Sequence, residues 1–200
     1  MRYVRILKVS GSAENKRLFF GRMSAGLALA ALLSAASPAR AADYMWTVNT
    51  TAGQALTDGI GNAPGGTNWS LNGDISSRVT WPNSTSDTAV FGVGSGTAGL
   101  VTTTAPMTAN GLKFAQPGSG SYNIMIGSNA NSITLGGSTP TITANSGVSA
   151  TIEANSAGVD GRLIGNDITI TGGGTLILKN MSTSSASTAG LMALGRGSAN

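Results

Sequence analysis

Gly165-Asn166-Asp167-Ile168-Thr169-Ile170-Thr171-Gly172-Gly173-Gly174-Thr175-Leu176-Ile177-Leu178-Lys179 is the stretch that decides the fold class of this chain. Ile168 to Thr171 alternate a branched apolar residue with a hydroxylated one, so in an extended strand one face is apolar and the other hydrogen-bonding. Three glycines interrupt that pattern, and a second apolar run from Thr175 to Lys179 starts directly after them. Working backwards, similar short runs recur at Leu112 to Ala115, Tyr122 to Ile126, Ser132 to Leu135, Thr139 to Thr143 and Ala150 to Glu153. Gly127, Gly136-Gly137, Asn145, Asn155 and Gly165-Asn166 fall between them, residue types suited to turns that need positive φ. No segment beyond residue 41 places apolar residues at helical spacing, so the chain reads as all-β with helix content close to nil.

Strand signals at this spacing allow a sandwich, a membrane barrel or a stacked solenoid. A membrane barrel needs long strands and aromatic girdles, and no aromatic residue follows Tyr122. A sandwich needs large side chains to fill a core about 10 Å thick, whereas the inward candidates here are mostly single Ile, Leu and Val residues. A narrow solenoid suits them, because successive turns of chain stack like residues on like: aliphatic rows inside, Thr, Ser and Asn rows outside. The large aromatics Tyr44, Trp46, Trp69, Trp81 and Phe91 instead concentrate before residue 92. A terminal unit must bury one face of the stack and present another outward, so this segment is read as a cap.

The first 41 residues belong to a different physical class. Arg2, Arg5, Lys8, Lys16, Arg17 and Arg22 stand against the single acid Glu14, and an uncharged apolar stretch runs from Met23 to Ala36. That stretch is shorter than the roughly 20 residues a membrane-spanning helix requires. With Ala39 and Ala41 at the two small positions of an A-x-A site, it reads as a signal peptide cleaved between Ala41 and Ala42. Cleavage changes the electrostatics. The precursor carries +4, but only five cations (Arg78, Lys113, Arg162, Lys179 and Arg196) remain after residue 41, against seven acids, for a mature net charge of −2. The mature chain therefore has no basic face for nucleic acid, and no transmembrane helix is expected in it.

Motifs for chemistry mostly fail. The chain has no His and no Cys, which removes His-based triads, thiol nucleophiles, disulfides and the usual zinc ligand sets. Gly94-Ser95-Gly96-Thr97-Ala98-Gly99 matches G-x-G-x-x-G, but the residues after it continue as β and the dinucleotide reading lacks its helix and its acid. Asp58, Asp74 and Asp87 are formally a glycosidase acid and base set, yet all three sit beside Gly, Asn or Ser and read as solvated turn carboxylates. Asp160-Gly161 is a turn signal as well. Trp46, Trp69 and Trp81 are candidate glycan contacts, since an indole stacks on a sugar ring; the competing reading makes them anchors of the cap core. No catalytic residue, cofactor or metal is expected.

Thr67-Asn68-Trp69-Ser70, Trp81-Pro82-Asn83 and Ser86-Asp87-Thr88-Ala89-Val90-Phe91-Gly92 resemble the opening of bacterial proteins that carry autotransporter-associated β-strand repeats. Gly111-Leu112-Lys113-Phe114, Ser121-Tyr122-Asn123-Ile124, Ile133-Thr134-Leu135-Gly136-Gly137 and Gly173-Gly174-Thr175-Leu176-Ile177-Leu178 continue the resemblance, which covers most of residues 67 to 180. It implies a right-handed parallel β-helix (β-solenoid) passenger with an aromatic-rich N-terminal cap, exported through the inner membrane and displayed at or beyond the outer membrane. The implied roles are adhesion or surface coating, with the export machinery and surface glycans or other cells as partners. On this reading residues 1–41 are the signal peptide, 42–91 the cap, 92–180 the repeat solenoid and 181–200 a Ser/Thr/Ala-rich tail. The sequence has one good copy of the Gly-Gly-Thr-Leu-Ile-Leu unit and no translocator barrel, so Asn200 reads as a truncation that leaves an open, self-associating coil.

Overall fold

A computed structural model describes residues 41–154, 162–165 and 167–179. The expected signal segment before Ala41, the Asp160-Gly161 turn and the tail at 181–200 lie outside them. The described residues form fourteen short strands and one 3₁₀ turn, with no α-helix. In chain order the strands are β1 (Asp43–Trp46), β2 (Gly61–Ala63), β3 (Trp69–Leu71), β4 (Thr88–Phe91), β5 (Thr97–Thr103), β6 (Met107–Ala109) and β7 (Gly111–Phe114). They continue as β8 (Ser119–Ile126), β9 (Ile133–Leu135), β10 (Thr141–Ala144), β11 (Ser149–Ala154), β12 (Leu163–Gly165), β13 (Thr169–Thr171) and β14 (Thr175–Lys179).

The strands assemble into three sheets, ordered β13-β10-β7-β4-β1-β3, β14-β11-β8-β5-β2 and β12-β9-β6. From β4 onward the chain visits the three sheets in rotation, so each strand except β6 lies beside one from the turn before. Every pairing is parallel except that of β1 with β3.

Register converts the alternation in the sequence into rows. Ala89, Leu112, Ile142 and Ile170 occupy one row of the first sheet, and Phe91, Phe114 and Ala144 the next inward row. Val101, Ile124, Ile152 and Leu178 align in the second sheet, and Met107, Ile133 and Leu163 in the third. The rows are dry through the middle and open towards β13 and β14: Ile142 is 1% exposed, its neighbour Ile170 39%. Outward positions pair by hydrogen bonds, as between the Thr143 and Thr171 hydroxyls at 2.9 Å and from Asn123 Nδ2 to Glu153 Oε1 at 2.8 Å. A one-residue slip would exchange these two faces, so burial of the aliphatic rows fixes the register.

The aromatic-rich segment joins the same sheets. β1 and β4 extend the first and β2 the second, while β3 turns back antiparallel and ends the first sheet's order. Asn72 and Gly73 form the turn after β3: both residues have positive φ, and Asp74 N–H donates to the Leu71 carbonyl at 2.9 Å.

Candidate functional site

The three tryptophans singled out as sugar-stacking candidates are brought together, but inward. β1 and β3 place Trp46 opposite Trp69, and both are fully buried, while Trp81 is 6% exposed. Trp46 meets Trp69 edge-on at 5.4 Å between ring centroids, and Trp69 lies 4.9 Å from Trp81. Phe91 continues the cluster to Phe114, stacked at 5.7 Å, and to Tyr122 at 5.5 Å. Each indole N–H donates to a backbone carbonyl: Trp46 to Gly59 at 3.3 Å, Trp69 to Pro64 at 3.4 Å and Trp81 to Thr108 at 3.0 Å. With ring faces covered by other rings and polar atoms satisfied internally, these side chains offer no platform to a glycan. They anchor the core of the N-terminal segment.

The carboxylates require a correction. Of the three read as solvated turn acids, only Asp74 is one: it is exposed, and the Ser76 hydrogen bonds hold its carboxyl below the usual range. Asp58 and Asp87 are 2% and 8% exposed. Asp58 Oδ1 accepts from Val93 N at 2.9 Å and from the Tyr122 hydroxyl at 2.7 Å. Its Oδ2 accepts from Ser95 N at 3.2 Å and Gly118 N at 3.1 Å. Burial, then the adjoining Asp58 carboxylate, push the Tyr122 hydroxyl far above its ordinary pKa. The physical reason for the misplacement is range. Asp58-Gly59 looks like a local turn, whereas its partners lie 35 to 64 residues further along the chain.

The same contacts dispose of the G-x-G-x-x-G match. Gly94 and Gly96 have positive φ, and the loop they form turns the Ser95 N–H onto Asp58 before the chain enters β5. A Cβ at Gly96 would approach Asp58 O to 2.6 Å, so glycine is needed for this close passage. The glycine loop thus encloses a carboxylate of its own chain.

Asp87 immediately precedes β4, and its Oδ1 accepts from Ala42 N at 3.0 Å. The three acids therefore serve separate hydrogen-bonding sites, and none shares a hydrogen-bond partner with another. Sequence reasoning also missed Arg78. Its guanidinium donates to the carbonyls of Asn49 and Gln54, each at 2.7 Å, and to Ile75 and Ser77, tying two loops together. An Arg flanked by Ser and Val carries no local signal of such a role. Among the described residues no group of three His, Cys, Asp or Glu is placed to hold a metal ion, and no helix is long and apolar enough to cross a membrane.

No family model matches the chain, and no solved structure matches it. The chain is similar to the adhesin BmaC autotransporter of Brucella suis biovar 1 (strain 1330), with 38% identity over 144 residues. That match covers 70% of this chain and spans about 4% of the relative's own length.

Proposed function

We propose that this chain is the exported N-terminal part of a surface-displayed, adhesin-like passenger, with its three sheets wound as a right-handed β-helix. The observation that carries the reading is the similarity to an adhesin autotransporter, which falls on a chain of parallel strands stacked in register. In such an array each turn of chain contacts its neighbours alone, so it lengthens into a stalk or coat without requiring a new core. Residues 1–41 act as a signal peptide for the export machinery, 42–91 cap the stack, 92–180 form the repeat body and 181–200 the tail. The outer rows of Thr, Ser and Asn meet surface glycans or other cells, and the protein catalyses no reaction.

The full chain, expressed in a bacterial host, is expected to yield exported protein whose intact mass begins at Ala42. Bacteria displaying it are expected to adhere to a host-cell layer several-fold better than bacteria without it. Retention of Met1 to Ala41 overturns the export reading, and unchanged adhesion by surface-exposed protein overturns the adhesin reading.

A related expectation concerns assembly. Ile170 and Ile177, at 39% and 38% exposure, extend the strand rows towards solvent. Apolar strand edges of this kind template pairing with another chain. Light scattering on residues 42–200 is expected to detect self-association that Ile170→Lys reduces; a monodisperse wild-type monomer counts against it.

A further inference from the structure

We propose that the Asp87 carboxylate is a binding site for the chain's own new amino terminus, created when the chain is cut between Ala41 and Ala42. The inference rests on the processing proposed above and goes beyond it by giving the cut a structural consequence. Ala42 N already lies 3.0 Å from Asp87 Oδ1, and the Ala42 carbonyl accepts from Thr88 N at 2.9 Å. The residue is thereby held at both its polar atoms by two consecutive residues at the entry to β4. Asp87 is itself fixed, since its carbonyl accepts from Asn110 N at 2.7 Å. With Asp87 only 8% exposed, its carboxylate is ready for one close partner and poorly served by bulk water.

Cleavage changes what that partner is. Hydrolysis breaks the Ala41 C–Ala42 N bond; water leaves its oxygen on Ala41 as a carboxylate and supplies hydrogen to Ala42 N. At neutral pH the new amine takes up a further proton. A neutral amide donor with one hydrogen becomes an ammonium with three, at the same place, and a neutral-to-anion hydrogen bond becomes an ion pair. The other charges nearby do not compete for it. Asp43 on β1 pairs with Lys113 on β7 at 3.9 Å, across the intervening β4, and both side chains are partly exposed. Tyr44, whose hydroxyl is pushed up by burial and then by Asp87, stays neutral through the relevant range.

The sign of the pH dependence follows. An α-amine titrates ordinarily near pH 7.7–8.0, and a carboxylate in contact raises that value in the folded state. The stabilisation is fully present below the ordinary value and is lost as pH rises through the raised one. The test uses exported, processed full-chain protein. Acylation of the α-amine is followed against pH by mass spectrometry of the N-terminal peptide, in native wild type, urea-unfolded wild type and native Asp87→Asn. The expected result is a midpoint about one pH unit higher in native wild type than in either reference. Coincident midpoints in native and unfolded wild type, on protein verified to begin at Ala42, overturn the inference and leave the processing intact. A chain that begins elsewhere overturns both. The wild-type comparison stands even if Asp87→Asn does not fold.

Discussion

Asp58→Ala is expected to lower the unfolding free energy by about 3–5 kcal/mol, a large fraction of the roughly 5–15 kcal/mol of a typical domain. The substitution leaves four donors without their acceptor: the N–H groups of Val93, Ser95 and Gly118 and the Tyr122 hydroxyl. A buried donor left unsatisfied costs about 1–3 kcal/mol, and the total stays below the simple sum because water reaches the loop once the carboxylate is gone. Asp58→Asn is expected to fall between, since one amide oxygen remains to accept while the amide nitrogen meets donors. Urea unfolding curves for the three proteins measure this, and a loss under about 1 kcal/mol for Asp58→Ala contradicts the role assigned to it. Tyr122 adds a pH signature. Its pKa is raised in the folded protein, so its contribution is complete below the ordinary tyrosine value near pH 10 and is lost as pH climbs above it. Tyr122→Phe is expected to flatten that alkaline slope.

Trp69→Ala is expected to cost about 3–5 kcal/mol by a different mechanism, a cavity at the centre of the aromatic cluster. The indole touches Trp46, Trp81 and Phe91, with centroids 4.9–5.7 Å away, and its N–H is bonded to Pro64. Leu71, on the same strand but 36% exposed, provides the contrast: Leu71→Ala is expected to change stability by less than about 1 kcal/mol. Equal and small effects at the two positions would show that Trp69 does not anchor the segment. Undiminished stability together with lost binding to a polysaccharide would revive the glycan-contact reading.

The two substitutions mark where the sequence was readable. Ile168-Thr169-Ile170-Thr171 announces a strand because its information is local, a period of two that any extended chain must express. The row that places Ile170 beside Ile142 and Leu112 follows from stacking like on like, and was legible as a principle though not as a register. Trp69 was legible as an anchor from its size, while its burial among three other rings depends on β3 reversing onto β1. Asp58 was not legible. Its meaning lies in contacts with residues up to Tyr122, and the adjacent glycine gives the stronger and misleading local signal. Arg78 was hidden for the same reason, because backbone carbonyls bear no mark in a sequence.

The carboxylate of Asp58 also sets a condition on the order in which the protein acquires its shape. Of its four donors, Gly118 and Tyr122 arrive last, Tyr122 standing 64 residues later in the chain. A polypeptide synthesised from its amino end presents Asp58 long before either is available. Closing the site early would strand a desolvated carboxylate, so the emerging segment gains little by compacting until β8, the seventh strand after Asp58, has followed it. A residue that ties the finished structure together is also one that keeps its beginning from setting too soon.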